Sequence, residues 1–65
     1  MIAFIDIDEV DFKKMAINIQ NIEFIRNVNG HALIIMTSGR GYTAEESYEE
    51  LCSRLSDLAM EVGRW

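Results

Sequence analysis

The 65-residue sequence predicts an α+β domain, a three- to four-stranded, mainly antiparallel β-meander followed by one C-terminal amphipathic helix. Three observations carry that expectation. Short segments rich in Ile, Phe and Val occupy the first half of the chain. Asn29-Gly30 separates two of them, and these residues tolerate the positive φ that a type I′ hairpin turn demands at both central positions. Beyond Thr43, apolar residues recur at three- and four-residue steps, the period of one helix face.

The first strand is "MIAFIDID", ended by the polar turn "EVD". "FKKMAINI" alternates, with Met15, Ile17 and Ile19 on one side and Lys14, Ala16 and Asn18 on the other. Asn18, Gln20 and Asn21 interrupt it, and a third strand runs from Ile22 to Val28. A two-residue loop at Asn29-Gly30 sets the next register. Val28 faces His31, Arg26 faces Leu33, Phe24 faces Ile35 and Ile22 faces Thr37 on one side of the ribbon. Ile25 faces Ile34, Asn27 faces Ala32 and Glu23 faces Met36 on the other. Both sides are rich in apolar residues, so the ribbon should be covered twice. In "TSGRGYT", Gly39 and Gly41 supply a turn and Tyr42 rejoins the sheet. Thr43 with Glu46 then reads as a capping box that opens the helix. Its stripe is Tyr48, Leu51, Cys52, Leu55, Leu58, Ala59 and Val62, with Glu50 and Arg54 spaced as an i,i+4 pair and Gly63 as the stop.

Residues 1–65 form a single domain, small enough that its core alone leaves it marginally stable. One cysteine permits no intrachain disulfide, and one histidine offers little to a metal, so no cofactor is expected. Oligomerisation is the remaining remedy. No apolar run approaches the ~20 residues of a membrane span, and no signal peptide opens the chain, which suits the cytoplasm. A net charge of −5 disfavours nucleic acid and suits a basic protein partner, or simply solubility.

One helix covers one sheet face. The side bearing Ile25, Ile34 and Met36 is left for a second copy or another protein, and Trp65 is an aromatic anchor for the same purpose. Asp6, Asp8, Glu9 and Asp11 form either a solvated strand end or a surface for a basic partner; their spacing fails the EF-hand pattern. Arg40, Gly41 and Thr43, before a helix N-terminus, form a candidate anion site, although Glu45 and Glu46 would repel an anion there and a plain turn explains the glycines. His31 reads as an exposed side chain after the turn and Cys52 as a core thiol, so no nucleophile–base constellation is present and no enzyme is expected.

From Asn18 to Leu55 the pattern of Asn18, Ile22 and Ile25, the strand Leu33 to Met36, "TSGRGY" and "EESYEEL" resembles the small FlbD-like flagellar and swarming-motility proteins. The resemblance implies a small accessory protein that acts through protein contacts without catalysis. "DIDEVD" departs from that pattern, where a polar Asn-Gly turn is usual. The function expected is thus that of a non-enzymatic, oligomeric interaction or regulatory protein. Alternatives are a phage-type acidic inhibitor that imitates DNA or blocks a basic host site, with Asp6, Asp8, Glu9 and Asp11 joined by Glu45, Glu46, Glu49 and Glu50, and, more weakly, a nucleotide sponge built on Arg40 and the glycine turn.

Overall fold

A computed structural model describes residues 3–61, with side chains through residue 58. The described elements are β1 (Phe4–Glu9), β2 (Lys13–Asn18), a 3-10 turn (Ile19–Asn21), β3 (Ile22–Val28), β4 (His31–Met36), β5 (Gly41–Thr43) and α1 (Tyr48–Glu61). The architecture is α+β, with antiparallel strands preceding one helix. Five strands form where three or four were expected, and they divide into a β1–β2 hairpin and a β3–β4–β5 sheet.

Asn29 (φ 53°) and Gly30 (φ 85°) adopt the paired positive φ of a type I′ turn. Pairing then runs as expected from Val28–His31 through Phe24–Ile35. Beyond it a bulge between Ile22 and Phe24 shifts the ladder, so Ile22 pairs with Met36 and not with Thr37. The Thr37 amide donates to the Asn21 carbonyl instead.

The two sheets are joined by backbone. β5 runs on past Thr43, where the Ala44 amide donates to the Ala32 carbonyl and the Ala32 amide to the Glu46 carbonyl. On its other side, Val10 donates to the Thr43 carbonyl and Glu45 to the Asp8 carbonyl, a bridge centred on Glu9 and Ala44. The hydrogen-bonded order across the molecule is therefore β2, β1, β5, β4, β3. Its inner face buries Ile5, Ile7, Ile17, Ile19, Ala32, Ile34 and Ala44 around Leu51 and Leu55 of α1.

The extra extended residues move the helix start. Thr43 belongs to β5, and the capping box is Ser47 with Glu50. The Ser47 hydroxyl accepts from the Glu50 amide at 3.1 Å, the Glu50 carboxylate accepts from the Ser47 amide at 3.3 Å, and the Ser47 carbonyl takes the Leu51 amide at 3.0 Å. Glu50 is thereby occupied, and Arg54 bonds Glu46 and the Asp6 carbonyl rather than Glu50.

Leu51 of α1 is wholly buried in the core. Leu51→Ala should cost about 2–5 kcal/mol, by lost burial plus the cavity left behind. The midpoint of urea unfolding should fall with the slope unchanged.

Candidate functional site

The helix and the sequence disagree about which side of the β3–β4 ribbon is free. The side bearing Ile25, Ile34 and Met36, expected to meet a partner, is the core side. Ile34 has 0% of its surface exposed, and Ile25 and Met36 are half-buried against the same cluster. The reason lies in what each side would have to bury. Arg26 stands mid-strand opposite Leu33 on the other side, and covering it with a helix would strand an unpaired guanidinium in the core. The side facing α1 carries Ala32, Ile34 and Ile25 at its centre, and its polar members Glu23 and Asn27 remain exposed on β3, at the end of the sheet. The helix takes the side it can cover cheaply. Trp65 lies outside the described residues.

The free face is consequently the other one. Phe24 is 46% exposed and Val28 37%, beside half-exposed Leu33 and Ile35 and exposed Arg26. Gly41, paired with Ile35 on β5, presents no side chain here, and a Cβ on it would stand 3.1 Å from Ile35 Cδ1 and 3.5 Å from Leu33 Cδ1. Those two side chains lie over the glycine and form a smooth apolar floor. The bridge to β1 extends the face: Glu9 and Ala44 point inward, so Val10 and Thr43 alternate outward, and Val10 is itself exposed. Exposed apolar side chains grouped this way mark contact surfaces, whereas scattered ones do not.

The acidic group is divided by the fold. Asp6 and Asp8 are exposed on the outer side of β1, and Asp11 is exposed in the turn. Glu9 is only 4% exposed and belongs to no partner surface. One of its carboxylate oxygens accepts the amides of Asp11 (2.7 Å) and Phe12 (2.8 Å), and the other accepts that of Thr43 (3.0 Å). This single side chain closes the β1–β2 turn and fastens it to β5. The turn re-enters β2 through Lys13, which is left-handed (φ 64°). The bond from the Phe12 amide is the main influence that lowers the Glu9 pKa below 4.5, helped by those from Asp11 and Thr43 and by the Lys13 charge, against an opposing push from burial.

The exposed acids are interleaved with bases. Asp8 pairs across the hairpin with Lys14, Lys13 reaches Glu45 at 4.0 Å, and Arg54 joins Glu46 to the Asp6 backbone. No cluster that could hold a metal ion is present among the described residues. The anion site proposed around Arg40, Gly41 and Thr43 is not assembled, because α1 begins at Tyr48, Gly41 sits beneath Leu33 and Ile35, and the Thr43 amide is given to Glu9. His31 is exposed, and its Nδ1–H donates to the Glu45 carbonyl at 3.0 Å. Cys52 is half-buried as a free thiol, and its hydrogen bond with Tyr48 raises the pKa of that phenol. No helix of the described residues is long and apolar enough to cross a membrane. Comparison with protein families, curated proteins and solved structures finds no match.

The sign of the Glu9 effect follows from its lowered pKa. Its stabilisation is complete above the ordinary value of 4.5 and is lost as pH falls through the lower value it holds in the fold. Glu9→Gln should lower the thermal midpoint at neutral pH, because an amide offers one acceptor oxygen where the carboxylate offers two. The difference between variant and wild type should shrink on acidification below 4.5, as followed by circular dichroism melts.

Proposed function

We propose that this chain works by contact and not by catalysis, as a small self-associating protein whose free sheet face meets a second copy or another protein. The supporting observation is the run of Val10, Phe24, Val28, Leu33 and Ile35 on the one sheet face that α1 does not reach. A domain of 65 residues with a single free cysteine has little else with which to supplement its core. A free thiol suits a reducing cytoplasm. The FlbD-like pattern would make components of a flagellar or swarming apparatus natural partners. That role fits an accessory protein that acts as a surface.

Neither of the other readings draws comparable support. An acidic mimic of nucleic acid needs a field of one sign, whereas Asp6, Asp8, Glu45 and Glu46 share their surroundings with Lys14 and Arg54, and Glu9 is turned inward. A nucleotide sponge needs Arg40 and its glycines at a helix N-terminus, where they are not.

Light scattering coupled to size exclusion, from micromolar to millimolar chain, should give a mass that rises above the 7.5 kDa of one copy. Phe24→Glu, which places a charge on the exposed face without touching the core, should hold the chain at one copy with unchanged circular dichroism. A wild-type chain that stays monomeric throughout and captures nothing through this face contradicts the proposal.

A further inference from the structure

The free face ends at β3, and β3 is also an end strand of the hydrogen-bonded order. Among the described residues the Ile22 amide at its start donates to the Ile19 carbonyl, and no backbone hydrogen bond reaches the outer side of the strand beyond it. The opposite end strand, β2, carries exposed Lys13 and Lys14, the kind of charge that keeps an edge from pairing. β3 is the longer strand at seven residues, and its exposed charges, Glu23 and Arg26, are of opposite sign where those of β2 are alike. From this contrast, and resting on the self-association proposed above, we infer that two copies join antiparallel along β3, with Ile25 of each on the two-fold axis.

The hydrogen-bond directions allow it. A two-residue type I′ loop makes Val28 and His31 a hydrogen-bonded pair, and such pairs alternate along an antiparallel ladder. Val28, Arg26 and Phe24 therefore aim their backbone groups at β4, while Asn27 and Ile25 aim theirs at the free edge. Those outward groups are what a second strand would bind.

The side chains choose among registers. Strands that pair must keep each face continuous, so Phe24, Ile25 or Arg26 could sit on the axis, but intermediate positions could not. Arg26 on the axis sets two guanidinium groups opposite each other, which repel. Phe24 on the axis sets Glu23 against half-buried Ile25 and draws the bulge at Glu23 into the middle of the ladder. With Ile25 on the axis, Ile25 meets Ile25, and Phe24 lies opposite Arg26 of the second copy on the free face. An exposed ring then gains a cation over it, and an exposed guanidinium gains an apolar floor. Copies that each carry a net charge of −5 repel at long range, so a cation at the contact is what such a pair requires. The product is one sheet with β3, β4 and β5 from both copies, and an apolar face that continues across the join.

Amide hydrogen exchange read by NMR on the full chain, with light scattering on the same samples, tests this. The amides of Ile25 and Asn27 should exchange at least about tenfold more slowly in the concentrated, associated sample than in the dilute one, while those of Phe24 and Arg26 stay protected in both. Arg26→Glu should keep the dispersed spectrum and weaken self-association by about tenfold or more. An associated sample in which the Ile25 and Asn27 amides still exchange freely overturns the edge pairing and leaves self-association standing through another surface. A chain that scatters as one copy at millimolar concentration overturns both.

Discussion

A single helix can shield one side of a sheet, and Arg26 settles which side that is. Its guanidinium projects from the middle of β3, opposite Leu33, where no carboxylate is positioned to neutralise it inside a core. The helix accordingly lies over Ala32 and Ile34, whose small or branched side chains let Leu51 and Leu55 approach. The apolar residues on the Arg26 side are then left uncovered by α1. The residue that directs the helix to one face is also a charged group set beside Phe24, Leu33 and Ile35 on the other.

Glu9 performs the complementary task of holding the two sheets as one body. A buried carboxylate is costly unless its oxygens are bonded, and here three backbone amides from two segments supply those bonds. Without this link, β1 and β5 would share only the short stretch around Ala44. The inward turn of Glu9 also keeps Val10 outward, so the free face extends from β3 to the β1–β2 turn.

Much of this was legible in the sequence because local chemistry determined it. The Asn29-Gly30 turn, the β3–β4 register as far as Phe24, the alternation of Met15, Ile17 and Ile19, and the helix stripe through Leu51 and Leu55 all follow from turn preference or periodicity. What escaped depended on long-range pairing. Residues 44–46 extend β5 because Ala32 and Asp8 lie on either side of them, a circumstance no local pattern announces, and the cap therefore moved from Thr43 to Ser47. "S-Y-E-E" does carry a capping-box signature, but it competed with "T-A-E-E" only a few residues earlier. Glu9 reads as one more acid in an acidic run, and only its place in the β1 alternation, in phase with Ile5 and Ile7, hints that it faces inward. Apolar content alone does not separate the two ribbon faces; the cost of burying Arg26 does.

A small domain with one helix leaves a sheet face uncovered. Its core is closed by α1, and the sheet face that a larger domain would cover with a second layer stays exposed at Phe24, Val28 and Val10. The most direct test is the solvent exposure of the Phe24 ring, measured by paramagnetic relaxation from an inert soluble probe as the chain is concentrated. The Phe24 ring protons should become shielded as concentration rises, while those of exposed Phe12 should not. Equal relaxation of Phe24 and Phe12 at every concentration, with no other protein added, would contradict self-association through this face.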